Sequence, residues 1–488
     1  MSHPLREVAV REIPAPPAWS ALVERLRETH GFWLLESTQA GPSLGRFSFV
    51  GAAPRELLRA RGQHHVEIEG AAGRRALRGD PLALARALLR PARAQEGAAR
   101  LPFVGGALGW IGYELGARAG GAPPRAFDDL GFPELCLLFV DRVLAFEHAS
   151  GRLHAAALGD GAGAERAAER LAARVARGEP DPFEAGPRRA STQVGVDASW
   201  PEPMRLRDPQ SGLELGAFFD ESAYQKAVLR IQEQIAAGEV YQANLTHRLH
   251  AASAADPWQI YSALCRRNPA PFAAYLELPE GAVIGSSPER LLRVDPSGIV
   301  ESRPIKGTRP RGATAAEDER LRRALAGSEK ERAENVMIVD LVRNDLGRVC
   351  ATGSVEVPEL FAIERYATVF QMVSTVRGRL RPDRDAFDAL RAAFPPGSMT
   401  GAPKRAAMRL LAELEPVRRG VYSGALGWLD ARGGMELAVV IRTLLQRPGH
   451  AWLHVGGGIV LDSEPAAEWA ETLAKARALV DALALAAA

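Results

Sequence analysis

Lysine is scarce in this 488-residue chain. Of 61 basic residues only five are lysines, Lys226, Lys306, Lys330, Lys404 and Lys475, which leaves 56 arginines. Cysteine is scarcer still. Cys136, Cys265 and Cys350 are far apart, odd in number and without C-x-x-C spacing, which excludes a disulfide framework and a structural zinc site and fits a reducing compartment. No run of about 18 apolar residues is present, so no membrane span is expected. The opening MSHPLREVAVREIPAPP lacks the apolar stretch of a signal peptide, and a cytoplasmic location is expected. An excess of one charge is missing too: 61 basic residues face 59 acidic ones for a net charge of +2. Such a balance sets up no field that would favour nucleic acid. There is no repeat of fixed period, no Walker loop and no Rossmann glycine pattern.

What is present is ordinary for a water-soluble globular protein, with 47% hydrophobic and 25% charged residues. The length is too great for one simple core. FWLLEST, GRFSFVGAAP, HHVEIEG, LCLLFVDRVLAFEH and RLHAAALG read as short strands, with helices expected over 80–97 and 162–177. This predicts an N-terminal β-rich subdomain over 1–177. Residues 178–215 are rich in Pro, Gly, Ser and charge and read as a linker or surface excursion, which need not separate independent domains because strands on either side could share a sheet. A second domain is expected over 216–488. There ESAYQKAVLRIQEQIAAG ends a helix at Gly238, and helices are also expected over 315–326, 328–346, 385–393, 402–414 and 465–485. The runs 282–294 and 435–446 read as continuous strands. Strands and helices cluster without strict alternation, which predicts α+β sheet layers with outer helices.

Two helices carry paired carboxylates. SEKERAENVMIVDLVRNDLG spaces Glu331 and Glu334 three apart, and EPAAEWAETLAKARALV does the same with Glu468 and Glu471, with Lys475 four residues on. Side chains at these spacings share one helix face. A single E-x-x-E is ordinarily a solvated surface. Here VMIVDLV and Trp469 press both helices against a core, and the second follows VGGGIV. Four convergent oxygens in a concave site suit Mg2+, a hard ion that keeps some waters and holds an anionic substrate.

Gly456, Gly457 and Gly458 read either as a strand bend or as a close approach of backbone N–H groups to an anion. Thr400 stands in FPPGSMTGAPK just before a helix N-terminus, which favours anions. Arg442 interrupts the apolar LAVVIRTLL and needs a partner, as a structural ion pair or as a carboxylate clamp. Together these predict a small substrate bearing carboxylates. Lys306 sits among Arg303, Arg309 and Arg311 in ESRPIKGTRPRG. Arginine does not deprotonate in proteins, whereas lysine can become a nucleophile. The alternative is a surface lysine, or one paired with Glu301.

The ordered segments YQANL, SSPERLL, RPIKGTRPRG, AENVMIVDLVRNDLGRV, FPPGSMTGAPK, VIRTLL and GGGIVLDSEPAAEWAET resemble the chorismate-utilising enzymes over about 220–480, with a weaker likeness in LLEST and GRFSFVG. The resemblance implies a layered β-sheet sandwich of the anthranilate synthase component I type, with outer helices and a catalytic cleft between the sheet layers. Within the family, anthranilate synthases typically read P-I-A-G-T where this chain reads Pro304-Ile305-Lys306-Gly307-Thr308, and aminodeoxychorismate synthases read P-I-K-G-T. Where isochorismate and salicylate synthases carry a lysine base, this chain has Gln242, which cannot act as that base and is expected at the substrate.

The implied reaction is the folate-branch one. Chorismate binds with its ring carboxylate on Mg2+ held by Glu334 and Glu471, with Glu331 and Glu468 supporting through water. Arg442, Lys475 and the Gly456–Gly458 backbone hold carboxylates, with Thr400 beside them. Lys306 attacks C2, Glu289 protonates the departing C4 hydroxyl, and ammonia displaces the lysine to give 4-amino-4-deoxychorismate for 4-aminobenzoate synthesis. No cysteine lies in a glutaminase-like elbow, so ammonia is expected from a separate glutamine amidotransferase subunit or from free ammonium. Gln371 stands where relatives often have His, which weakens an anthranilate reading. LLEST with NPAPF resembles an amino-acid pocket formed by Leu35, Glu36, Ser37, Pro271 and Phe272, the alternative being a packed β-core around a buried Glu36. Two other functions stay open: anthranilate synthase component I, and a non-catalytic regulatory subunit that binds chorismate or an amino acid.

Overall fold

The computed structural model describes residues 5–39, 44–62, 64–94, 100–122, 126–185, 204–366 and 369–487. Among these residues the strands form two sheets, one of fourteen strands and one of twelve. Strand pairing is antiparallel, except that Arg6–Glu12 runs parallel to Ala92–Ala94.

The sheets face each other across a shared core. Trp33, Phe49 and Val143 of the larger sheet meet Leu108, Trp110 and Leu138 of the smaller. Gly106–Ile111 and Leu135–Val140 are buried along their whole length, which is why they read as unbroken apolar runs without alternation. Helices cover the outer faces. Glu329–Gly347 and Ala386–Ala393 pack on the smaller sheet, and Trp19–Leu26, Pro257–Arg267 and Pro465–Ala487 on the larger. Among the described residues no helix is long and apolar enough to cross a membrane.

The two halves of the chain share both sheets. Trp33–Glu36 pairs with Phe272–Leu278 in the larger sheet, and Gly106–Ile111 pairs with Ala425–Asp430 in the smaller. Of the expected linker, residues 186–203 lie outside the described residues. Its end is sheet and not linker: Met204–Arg207 and Glu214–Ala217 form a hairpin that extends the larger sheet through Gly216 and Ala217 onto Gln242–Ser253. The helix expected over 80–97 is shorter. It is capped by Asp80, spans Pro81–Leu88 and gives way before Pro91 to the strand Ala92–Ala94.

Two runs that read as single strands each change sheets. Gly281–Ser287 belongs to the larger sheet and Arg290–Val294 to the smaller, so Pro288 and Glu289 make the crossing. Met435–Val439 belongs to the smaller and Thr443–Arg447 to the larger, and the return crossing places Arg442 in the left-handed region at φ 51°. The crossings are bonded to each other. Val439 N–H donates to the Glu289 carbonyl at 3.0 Å and Ser286 N–H to the Arg442 carbonyl at 3.0 Å. Ser287 Oγ donates to the Val439 carbonyl at 2.6 Å. Both charged residues therefore sit at the seam between layers.

Candidate active site

A cleft of about 560 Å³ opens at this seam. Glu289 and Arg442 enter from the crossings, Lys306 from the strand Ile305–Pro310, and Glu331 and Glu334 from the helix Glu329–Gly347. Gly456 and Gly458 come from the strand Gly449–Ile459, and Glu468, Glu471 and Lys475 from the C-terminal helix. Three of the chain's five lysines, Lys306, Lys330 and Lys475, line it.

Lys306 Nζ stands 3.5 Å from Glu334 Oε2, with both side chains largely buried. Two of the three arginines near it in sequence are engaged elsewhere. Arg303 pairs with Glu364 at 2.5 Å and Arg311 with Asp318 at 2.6 Å. Arg309 lines the cleft and pairs with Glu331 at 3.3 Å. Glu301 is not a partner of Lys306 either, since it binds Arg290 at 2.7 Å and Arg377 at 2.9 Å.

Glu289 is buried and accepts hydrogen bonds from Ser398 Oγ at 2.9 Å and from the Ile305 N–H. Burial pushes its carboxyl up to about 7, against the pull of Ser398, Lys306 and the Ile305 amide. A carboxyl so placed is protonated in slightly acidic solution and can act as an acid near neutrality.

The helix Glu329–Gly347 starts at Ser328, whose side chain accepts from Glu331 N–H at 3.4 Å. Ile338, Val339, Val342 and Leu346 fix it to the smaller sheet, leaving Glu331 and Glu334 in its opening turns beside the cleft. The C-terminal helix is fixed by Trp469, which stacks on His247 at 4.7 Å, and by a 2.8 Å bond between Thr472 and His247. Ser463 Oγ donates to the buried Glu468 at 2.7 Å, and Lys475 pairs with Glu471 at 2.7 Å. Burial and the charge of Glu471 raise Glu468, which Ser463 partly opposes. Burial also acts to raise Glu471, but Lys475, Lys330 and Lys306 hold it below the usual range.

Among the described residues no three His, Cys, Asp or Glu side chains are gathered into a ready-made metal cage. The four glutamates each hold a separate partner: Arg309, Lys306, Ser463 and Lys475. The donor set still fits a hard divalent cation. Its ligands would be carboxylates on two helices bordering one cleft, where Glu468 and Glu471 repel each other, and Mg2+ takes one or two protein carboxylates and completes its shell with water and substrate.

Arg442 is not held by a carboxylate within its strand. Its guanidinium donates to the Lys475 carbonyl and ties the seam to the C-terminal helix, and burial draws its pKa down against Tyr422 and Glu471. Lys475 Nζ also donates to the Gly456 carbonyl at 3.0 Å.

Four residues expected at a ligand do not line their cavity. Gly457 does not line the cleft as Gly456 and Gly458 do; a Cβ there would lie 3.0 Å from Glu468 Oε2 and 3.8 Å from the Tyr224 hydroxyl. Thr400 is fully buried and braces its own turn, its Oγ1 donating to the Pro396 carbonyl at 2.7 Å. Gln242 is buried behind Gly458, where a Cβ would overlap its amide and come within 3.5 Å of Lys306 Nζ. Ser37 is expected at the other cavity. That cavity, of about 860 Å³, is lined by Leu35, Glu36, Pro271 and Phe272. Ser37 turns from it, its N–H donating to Ser48 Oγ at 3.0 Å. Glu36 is satisfied by Trp19 Nε1 at 2.6 Å and the Tyr261 hydroxyl at 2.7 Å.

Sequence reasoning missed Ser398, Lys330, Asn244, Tyr422 and His454, which all line the cleft. Lys330 was signalled by the scarcity of lysine. Ser398 lies in a segment already singled out, two residues before the threonine chosen from it. Tyr422 and His454 stack at 4.4 Å and carried no pattern of their own.

A family model described as chorismate binding enzyme matches residues 37–481. The aminodeoxychorismate synthase of Streptomyces griseus is 42% identical over 95% of this chain, which spans 63% of that relative's length. The anthranilate synthase component 1 of Pseudomonas putida is 39% identical over 95% of this chain and 92% of its own length. The aminodeoxychorismate synthase component 1 of Klebsiella aerogenes is 38% identical over 92% of this chain and 93% of its own. The crystal structure of anthranilate synthase component I from Streptococcus pneumoniae superposes with a TM-score of 0.73 at 30% identity, covering 90% of this chain and 93% of that one.

Proposed function

The chain belongs to the chorismate-binding enzyme family, and from that premise we propose that it makes 4-amino-4-deoxychorismate from chorismate and ammonia. Overall identity does not choose between the two activities named among its relatives, which match at 42% and 39%. The observation that carries the reading is a primary amine, Lys306, lining the same cleft as the buried acid Glu289.

In this reading Arg442, Lys475 and the Gly456 and Gly458 backbone receive the carboxylates of chorismate. Glu334 and Glu471 would hold Mg2+, with Glu331 and Glu468 supporting through water. The ion, when bound, offsets the negative charge that the substrate brings. Lys306 attacks as the free amine. The Nζ–C2 bond forms, the two ring double bonds shift, and the C4–O bond breaks with the proton of Glu289 leaving in the water. Ammonia then bonds to C4, the double bonds return, and the C2–Nζ bond breaks to free the lysine. The surplus proton of the new ammonium returns to the Glu289 carboxylate. A poor leaving group needs an acid, and a covalent intermediate divides one hard displacement into two. A glutamine amidotransferase subunit, or free ammonium, supplies the ammonia. The larger cavity is an amino-acid pocket in the same reading, and the location is cytoplasmic.

The test is a product assay. The chain is incubated with chorismate, Mg2+ and ammonium, and the products are separated by liquid chromatography with mass detection. 4-Amino-4-deoxychorismate is expected, with no pyruvate released. Anthranilate with equimolar pyruvate would replace this reading with the second one, anthranilate synthase component I, which the likeness to the Pseudomonas putida enzyme over 92% of its length favours. Binding of chorismate without turnover would instead indicate a regulatory subunit.

A further inference from the structure

The segment FPPGSMTG has no part in the reaction as written, yet one of its hydroxyls touches the acid. Ser398 lines the cleft and donates from Oγ to Glu289 Oε1 at 2.9 Å. The turn that presents it, Gly397–Met399, is held from several sides. Buried Arg419 donates to the Met399 carbonyl at 2.5 Å and is itself paired with Glu415 at 2.6 Å. Thr400 Oγ1 closes the turn on the Pro396 carbonyl at 2.7 Å. Asn244 N–H donates to the Thr400 carbonyl at 2.9 Å. Gly397 lies so close to the helix Glu329–Gly347 that a Cβ would come within 2.7 Å of the Leu341 side chain. Ser398 is thus a fixed point, braced between the carboxylate-bearing helix and a buried ion pair.

We propose that Ser398 is a positioning residue: it aims the Glu289 carboxyl at the substrate's departing hydroxyl and stabilises the carboxylate left behind. The inference rests on the reaction assigned above. As the C4–O bond breaks, the O–H bond of Glu289 breaks with it. The proton leaves in the water and the electron pair stays on the carboxylate. Ser398 transfers no proton; its O–H continues to donate to Oε1. A hydrogen bond to an ionised acceptor is about twice as strong as one to a neutral acceptor. The contact therefore strengthens as the proton departs, which makes it worth more in the transition state than before it.

Three groups face the Glu289 carboxyl, against the burial that raises it: Ser398 from the turn, and the Ile305 N–H and Lys306 from one strand. All three favour the ionised form. Of these, Ser398 can be changed without touching backbone or nucleophile.

The full chain is assayed with chorismate, Mg2+ and ammonium as wild type, Ser398→Ala, Ser398→Thr and Glu289→Gln across pH. Ser398→Ala is expected to lose about tenfold to a hundredfold in kcat with KM little changed. The limb on which activity falls with rising pH should move to higher pH, because a donor favouring the carboxylate is gone. Ser398→Thr restores both. A second readout needs no turnover: the carboxyl infrared band identified by its loss in Glu289→Gln is titrated without substrate, and its midpoint should rise in Ser398→Ala. An unchanged midpoint and limb in Ser398→Ala overturn the inference. So does a loss confined to KM, which would make Ser398 a substrate-binding hydroxyl. If the wild-type chain yields another product or none, the assigned reaction fails, while the infrared midpoint still decides between a shifted and an indifferent Glu289.

Discussion

Glu289 and Lys306 share a cleft but are prepared in opposite ways. Glu289 is buried where its charged form is disfavoured, with a carboxyl raised to about 7. Lys306 is placed beside a carboxylate, Glu334, at 3.5 Å. The first arrangement keeps a proton available and the second keeps an amine at a defined point. Two predictions belong here. An acid acts only while protonated, so the pH profile of kcat should carry a limb that falls as pH rises through about 7. Glu289→Gln should lower kcat by about 10²- to 10⁴-fold and abolish that limb. A pH-independent rate in the wild type would remove Glu289 from the role. For Lys306, intact-mass measurement under turnover should find a chorismate-derived adduct in the wild type and none in Lys306→Ala. An adduct in the variant would place the nucleophile elsewhere.

At the scale of elements, the paired strands Gln242–Ser253 and Gly449–Ile459 decide how close Lys306 can come. Gly458 leaves the room that the Gln242 amide fills, with Lys306 Nζ just beyond. Gly458→Ala should fold, because a side-chain tip can shift, at a cost of about 1–3 kcal/mol typical of overpacking. Its kcat should fall more than its stability suggests, and Gln242→Ala in the same chain should recover part of the rate. Thermal denaturation beside steady-state kinetics reads both, and a Gly458→Ala enzyme of full activity would show that the approach is unnecessary.

The same elements show what the sequence made legible. Long helices were plain: those expected over 315–326 and 328–346 are found at Ala315–Ala326 and Glu329–Gly347, where the structure shows Thr314 and Ser328 as their caps. The paired glutamates, Lys306 and Glu289 were legible because helix spacing and motif order carry side-chain identity. The layer changes were not. Period-2 alternation reports that a face is buried, not which sheet it belongs to. The hint lay in the charges, since Glu289 and Arg442 interrupt apolar runs where the chain leaves one sheet for the other. Thr400, Gln242 and Ser37 failed for a related reason. Each lies in a motif that borders a cavity, but motif membership does not say which way a side chain turns.

At the scale of the whole molecule, the interleaving of the two halves has a thermodynamic consequence. The segment 178–215 reads as a linker or surface excursion that need not separate independent domains, and strands from each side of it are neighbours in both sheets. The core between the sheets is likewise shared. Trp110, fully buried, belongs to the first half, its strand pairs with Ala425–Asp430 of the second, and its indole N–H is held by the Pro133 carbonyl at 3.0 Å. Removing either half would expose strand edges and one wall of that core, with their backbone groups unpaired. Calorimetry of the full chain should therefore show one cooperative transition. Trp110→Ala, costing about 3–5 kcal/mol, should lower that transition as a unit and with it the melting of the cleft, followed by loss of chorismate-dependent protection. A fragment of residues 204–488 should not reach the native state by itself. Two transitions in the full chain, with that fragment reproducing one of them, would show that the halves fold independently and that the cleft does not depend on the shared sheets.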